Sequence, residues 1–244
     1  MPTLPKPPAP EPPPAEPPAA EPRSRRDRPA KAPLSRAAIV QAGLAILDRS
    51  GIVELTMRRV AQELDTGAAS LYVYVKNRDD LLLAMLDEAM GSVPRTAHLA
   101  GTWRERVEAL IEAIVHATAS HEGLALVALG TIPRTDKVLL IFNDLIGLLR
   151  EGGLDDRTIS WSTDLLYMHA TAAGAELASY IARSSNEHDV VSEASEFFAA
   201  LPAERYPLIA GMHDEIMAGS GDERDAWKLR VLLNGILATP AGRP

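Results

Sequence analysis

The sequence predicts an all-α protein in which a unit of short helices precedes a larger helical one. Three observations predict it. Ala and Leu dominate the apolar residues while aromatics make up only 5%, a mixture that favours helix over sheet. Apolar residues recur at helical spacing from Leu34 onward, and no strand-like alternation persists anywhere. At 244 residues and 46% hydrophobic content, the chain fits one large or two small domains and has ample material for a core.

Residues 1–33 hold 13 of the 19 prolines and almost nothing to bury, so this stretch is expected to be a disordered, partly polyproline-II tail. Its end, RSRRDRPAK, sets Arg23, Arg25, Arg26, Arg28 and Lys31 directly before the first helix. Two readings stand side by side: a solvated linker, or a basic arm reaching into the minor groove, as such arms do beside other recognition helices.

The first helix is expected over about 36–49, with Ile39, Val40, Leu44 and Leu47 on one stripe. Ser35 is placed to cap it, Leu34 and Ile39 sit at the two positions of a hydrophobic staple, and Gly51 supplies the stop. A second helix, about 57–64, follows Thr56 as N-cap, with Met57, Val60, Ala61 and Leu64 inward. A break at Asp65–Gly67 precedes a short third helix, about 68–75. Asn77 caps a fourth, about 78–91, with Asp80 in the first turn, where the helix dipole favours it. Beyond Pro94, helices are expected near 102–120, 123–130, 135–151, 156–183, 203–218 and 222–238, separated by Gly and Pro. The segment 184–201 reads as a loop with one short helix.

Several function classes drop out. Without cysteine there is neither a disulfide framework nor a thiolate metal site. Six histidines without ligand spacing give no case for zinc, so no metal or other cofactor is expected. No apolar run approaches the roughly 18 residues of a membrane span, and MPTLPKPPAP lacks the apolar core of a secretory signal; the expectation is a cytoplasmic protein without a membrane partner. The net charge of −8 divides unevenly. Residues 1–22 carry −2, residues 23–95 carry +3 (12 basic against 9 acidic), and residues 96–244 carry −9. Phosphate would thus meet the N-terminal part and repel the rest.

Two short helices joined by a tight turn suggest a helix-turn-helix. The stretch LTMRRVAQELDTGAASLYVYVKNRDDLLLAML, residues 55–86, closely resembles the DNA-binding domain of the TetR (tetracycline repressor) family. The landmarks are the Thr56 cap, the RRVAQEL helix, the SLY of the third helix and the YVKNRDDLL that opens the fourth. AAIVQAGLAILDRSGIVELT fits the family's first helix. Asp65 stands where the family usually has a turn glycine, and Asp tolerates the left-handed conformation better than most residues. The resemblance continues more weakly through TWRERVEALIEAIVHATASHEGLALVALGTIPRT, residues 102–135.

The resemblance implies three parts: tail 1–33, a three-helix helix-turn-helix DNA-binding domain over 34–91, and a helical ligand-binding and dimerisation domain over 92–244. Leu71 and Val75, four apart, should face inward. The opposite surface then offers Ala68, Ala69, Ser70, Tyr72, Val73 and Tyr74 to double-stranded DNA. Ser70 can bond a base edge, and the alanines and Val73 can meet thymine methyls. By resemblance Tyr72, Tyr74, Thr56 and Arg58 look like contact positions. Arg59 reads as a phosphate contact or as solvated, and Lys76 and Arg78 flank a helix N-terminus that attracts phosphate. Packing between helices is the competing reading for Tyr72, and a solvated face for Lys76 and Arg78.

In the C-terminal part the resemblance implies a small-molecule site, but Leu110, Ile114 and Ala128 replace the polar tetracycline contacts, and Ala128 stands where the metal-chelate histidine belongs. Leaving each polar drug group unpaired would cost about 1–3 kcal/mol, so an effector other than tetracycline, of unknown identity, is expected. Its candidate lining is Leu110, Ile114, Thr131, Phe142, Asp144, Leu145, Trp161, Leu165, Met168 and His169, any of which could instead be ordinary core. The long helix near 156–183 and the last helix near 222–238 are expected to build a homodimer. The seam would use Leu165, Met168, Ala172, Ala175 and Ala178 or Ser179 with Trp227, Val231, Asn234 and Leu237. The function implied is a sequence-specific regulator, a repressor released from a palindromic operator by its effector. An enzyme on a helical bundle finds no catalytic constellation here: Asp155 and Asp156 read as a helix cap pair. A helical dimer using its helix-turn-helix for protein contacts is the third reading.

Overall fold

The computed structural model describes residues 33–121, 123–132, 134–182 and 187–242. The proline-rich tail and its basic end lie outside them. Everything from Leu34 belongs to one unit, and among the described residues it is built from α-helices and short 3₁₀ turns.

The N-terminal part is α1 (Arg36–Glu54), α2 (Met57–Glu63), α3 (Ala68–Leu71) and α4 (Arg78–Ala89). Each local stop and start has a visible cause. The Ser35 side chain accepts from the Ala38 N–H, Thr56 from Arg59 and Asn77 from Asp80, so three helix N-termini are closed by the residue types that best close them. Helical hydrogen bonding runs on to Glu54, but Gly51 at φ 75° breaks α1 where the sequence placed its stop. Asp65 takes the left-handed turn at φ 47°. Regular α3 is shorter than expected, ending at Leu71, although the Val75 N–H still bonds the Leu71 carbonyl at 3.0 Å. Ile39, Ile46, Leu47, Leu55, Val60, Leu71, Val75, Leu81 and Met85 form a closed core under these helices, each large side chain worth roughly 1.5–3 kcal/mol of burial.

The second part is α5 (Trp103–Ala119), α6 (Leu124–Leu129), α7 (Asp136–Glu151), α8 (Asp156–Ala182), α9 (Glu187–Ala199), α10 (Pro207–Gly211), α11 (His213–Met217) and α12 (Gly221–Ala238). Capping boxes open α5 (Thr102 with Glu105) and α12 (Ser220 with Glu223). Asp155 caps α8 through the Thr158 N–H, while Asp156 pairs with Arg150, so the two act as helix-start residues. α8 packs along α5, α6, α7 and α12, over a core that includes Leu110, Ile111, Ile114, Leu145, Leu149, Leu166 and Leu233. Gly174 makes the closest crossing possible: a Cβ there would lie 2.0 Å from Thr118 Oγ1.

Two expectations fail in this part. Residues 187–199 are a full helix, not mostly loop, and no Gly or Pro interrupts the run from Glu187 to Ala199. The single helix expected at 203–218 is two short ones: Pro207, with no N–H to continue a helix, starts the first, and the chain leaves helical angles at Met212 (φ −116°, ψ 12°), just after Gly211, before the second.

Candidate nucleic-acid interface and effector pocket

Leu71 and Val75 are fully buried and fix the roll of the third helical segment, turning Ala69, Ser70, Tyr72, Val73 and Tyr74 to solvent. Tyr72 is 53% and Val73 81% exposed. Contiguous exposed aromatic and apolar residues beside a serine mark an interaction surface. Ala68 is half-buried against the head core, so it contributes less to that surface than expected. Thr56 spends its side chain on its own helix, and Arg58 is exposed with no ion pair among the described residues.

Two arginines prove to have structural employment. Arg78 donates from Nε to the Leu55 carbonyl at 2.7 Å and from Nη2 to the Ile52 carbonyl at 2.6 Å. It closes the carbonyl end of α1, so the expected DNA contact is corrected to a brace. Arg59 pairs with Glu54 at 2.6 Å and bonds Ser50 at 3.1 Å, which removes it as a free phosphate contact. At the start of α4 the Lys76 N–H goes to Asp80 and the Asp80 N–H to Asn77, so this turn already serves its own carboxylate. The Lys76 side chain stays exposed.

Of the candidate pocket residues, Leu110, Ile114 and Leu145 lie in one fully buried cluster, with Phe142 and Leu165 packed against it. Tyr167, which the sequence reading missed, meets Phe142 edge-on at 4.8 Å. Burial pushes its phenol up to about 12, so it is a neutral hydroxyl in apolar surroundings. His169 is half-buried; burial holds its imidazole below the ordinary range, Asp225 opposing and Lys228 reinforcing. Thr131 donates to its own helix at the Val127 carbonyl. Asp144 is not a free polar anchor. Arg95 grips its carboxylate at 2.6 and 2.7 Å, and the Thr96 N–H adds a third bond at 3.1 Å.

Trp161 and Met168 are 63% and 52% exposed, and so stand outside this cluster. The expected place in the lining is corrected for both: α8 carries apolar residues on two faces, and these two lie on the outward one. On α12, Leu229, Leu233 and Ile236 point in while Trp227, Val231 and Leu237 are exposed.

The two parts are tied through α6. Leu124 is buried within the head core, and Val127 packs against both cores. Gly123, at φ 89°, lies so close that a Cβ would meet Ile52 at 3.1 Å. Around this contact His121 Nδ1 lies 2.6 Å from Asp48, and the Lys137 N–H and ammonium bond Asp87 and Glu88 on α4. Among the described residues no cluster of three His, Cys, Asp or Glu is placed to hold a metal ion.

A capped three-helix head with an outward Ser-Tyr-Val-Tyr surface, mounted on a helical domain with an apolar centre, defines a helix-turn-helix regulator. Residues 39–85 match the profile of bacterial regulatory proteins of the tetR family, and residues 95–239 match that of the tetracyclin repressor-like C-terminal domain. The chain belongs to the TetR family of transcriptional regulators, DNA-binding proteins and not enzymes. It is 26% identical over 227 residues to the HTH-type transcriptional repressor DrrR1 of Streptomyces coeruleorubidus, covering 88% of this chain and 83% of that one. Apo ActR from Streptomyces coelicolor superposes with a TM-score of 0.74 at 32% identity, covering 86% of this chain and 97% of ActR. ActR in complex with actinorhodin gives a TM-score of 0.75 at 32% identity, covering 86% and 98%. Among the described residues no helix is long and apolar enough to cross a membrane.

Proposed function

We propose that this chain is a homodimeric, cytoplasmic repressor that leaves a palindromic operator when a small molecule enters the α5–α8 core. The observation that carries the reading is Leu124: a residue of the sensor domain's own helix α6 is part of the head's core. Any effector that favours a different seating of α6 must therefore move the head, and it acts only through its differential affinity for the two seatings.

The reading head would lay Ala69, Ser70, Tyr72, Val73 and Tyr74 in the major groove, with Thr56, Arg58 and Lys76 beside the backbone. With no Asn, Gln or Arg from 68 to 75, base readout is thin and DNA shape carries part of the specificity. The effector reading is an apolar molecule with few polar groups, met by Leu110, Ile114, Phe142, Leu145 and Leu165 and by the Tyr167 hydroxyl. That environment suits neither tetracycline nor its metal chelate. DrrR1 is named a repressor and ActR binds actinorhodin, which makes repression the favoured sense and actinorhodin the first probe. The exposed Trp161, Met168, Trp227, Val231 and Leu237 would form the seam between copies, and two-fold symmetry then demands a two-fold operator.

The test is fluorescence anisotropy with duplexes tiled across the chain's own promoter region. Sequence-selective binding that Tyr74→Ala with Arg58→Ala abolishes, and that an apolar effector reverses, is the expected result. Equal affinity for all duplexes would overturn the reading.

A further inference from the structure

We infer that the effector of this regulator is an uncharged, largely apolar compound carrying a carbonyl-type hydrogen-bond acceptor, and that the Tyr167 hydroxyl is the group that recognises it. The inference rests on the effector-site reading above and deepens it from a set of apolar walls to a chemical class of ligand.

Tyr167 on α8 is 7% exposed and belongs to the sensor core, its ring edge-on to Phe142. Its carbonyl accepts from Thr171, but its hydroxyl has no hydrogen-bond partner among the described residues. Burial alone shifts the phenol, up to about 12, so neither a bond nor a charge offsets the loss of water, and the proton stays on the oxygen. Other hydroxyls buried on α5 and α8 are differently placed. Thr118, Thr163 and Thr171 each donate to a carbonyl four residues back on their own helix. A tyrosine hydroxyl stands too far from its own backbone to do that, so its match must come from elsewhere.

The polarity of the missing partner follows. A ligand donor would use a phenol lone pair and leave the proton unmatched. Buried donors are seldom left so, whereas half-used acceptors are tolerated more readily. The partner is therefore an acceptor. It is also uncharged. The cluster that holds Tyr167 is formed by apolar side chains, among them Leu110, Ile114 and Leu145. Asp144, beside Leu145 on α7, is already taken by Arg95 and the Thr96 N–H. A charged ligand group would leave water without a counter-charge, at a cost that one phenol bond does not cover. A ketone oxygen loses far less and is met by the phenol.

Occupancy at Tyr167 also reaches the head. Val127 and Ala128 of α6 pack into the same cluster, and Leu124 of that short helix lies in the head core. A guest that makes room beside Tyr167 presses on the helix that joins the two parts.

The experiment is a cycle between residue and ligand. The full wild-type chain and Tyr167→Phe, which keeps the ring, are each titrated by equilibrium dialysis with matched compounds: benzophenone against diphenylmethane, and fluorenone against fluorene. The ratio of ketone to hydrocarbon affinity should fall about tenfold on Tyr167→Phe in at least one pair, while hydrocarbon binding hardly changes. Benzoylbenzoate, the benzophenone frame with a carboxylate added, should bind the wild type about tenfold more weakly than benzophenone, or worse. Without ligand, Tyr167→Phe should melt at or above the wild-type temperature, since no bond is lost. Three results each overturn this inference and leave the apolar effector site standing: a ratio unchanged within about twofold in both pairs, benzoylbenzoate binding as tightly as benzophenone, or a clear loss of thermal stability. Failure of every compound to bind the wild type overturns the inference together with that site.

Discussion

Arg95, in the segment that leaves α4, closes both Nε and Nη2 onto the carboxylate of Asp144 on α7, at 2.6 and 2.7 Å, 49 residues apart in sequence. Asp144 keeps only 9% of its surface exposed while Arg95 is half in solvent. A two-pronged pair of this kind fixes orientation as well as distance, so it sets how the chain passes from the head into the sensor core. The pair also has a pH signature. Arg95 hydrogen bonding holds the Asp144 carboxyl below its ordinary range, burial opposes, and the Thr96 N–H reinforces Arg95. A folded value lower than the unfolded one means the ionised group favours folding. That contribution is complete above about pH 4 and vanishes as pH falls through the folded value. Asp144→Asn should therefore be less stable than wild type in urea at pH 7, with the gap closing as pH is lowered below about 4. A gap that stays constant over that window would remove the pair from any role in stability.

The crossing of α5 and α8 is set by the absence of one carbon. Thr118 is pinned by its own bonds to the Ile114 and Val115 carbonyls, and Gly174 sits against it. Gly174→Ala gains helix propensity but has no room, so it should cost about 1–3 kcal/mol net. Gly147 on α7 is the control, being exposed with nothing within 4 Å of a Cβ; its Ala variant should gain about 0.5–1 kcal/mol. Urea midpoints measure both. Two substitutions with the same sign of effect would mean that the crossing is looser than its geometry.

On α12 the inward residues Leu229, Leu233 and Ile236 alternate with exposed Trp227, Val231 and Leu237. In a two-fold seam each residue meets its own counterpart region, so one substitution introduces like charges twice. Trp227→Glu with Val231→Glu should leave the thermal stability of the single chain nearly intact. Sedimentation should shift from dimer to monomer, and operator affinity should fall with it. A double variant that still sediments as a dimer would move the seam elsewhere.

What was readable in the sequence follows the range over which its causes act. Ser35, Thr56, Asn77 and Asp65 act within three residues, and each does what its type and position required. Leu71 and Val75 were legible because a helix repeats its face every four residues. Arg78 was not, since its partners Leu55 and Ile52 lie 23 and 26 residues back and only the folded head brings them near. Arg95, Asp144 and Tyr167 fall under the same rule. Trp161 and Met168 show a different failure. A stripe of apolar residues tells that a face is covered, but α8 has one face for its own core and one left outward, and periodicity does not say which is which.

Leu124 offers the sharpest test of how the two parts communicate. It is wholly buried in the head core although α6 belongs to the second part, and Val127, His121, Gly123 and Lys137 help to hold the junction from the sensor side, as Leu86 and Met90 do from the head side by entering the sensor core. Head and sensor should then unfold together, as one calorimetric transition. Leu124→Ala leaves a cavity that costs about 2–5 kcal/mol, and the loss falls on the smaller partner. For a domain of the head's size each kcal/mol is worth about 4–8 °C. The head should therefore melt first, in a separate transition ten degrees or more below that of the sensor, which should hardly move. Val138→Ala, buried in the sensor core alone, should lower the sensor's transition and create no separate one for the head. If Leu124→Ala still melts as a single unit, the grip of α6 on the head is not what links them, and the burial of Leu86 and Met90 in the sensor core, with the Arg95–Asp144 pair and the Lys137 bonds to Asp87 and Glu88, carries the connection instead.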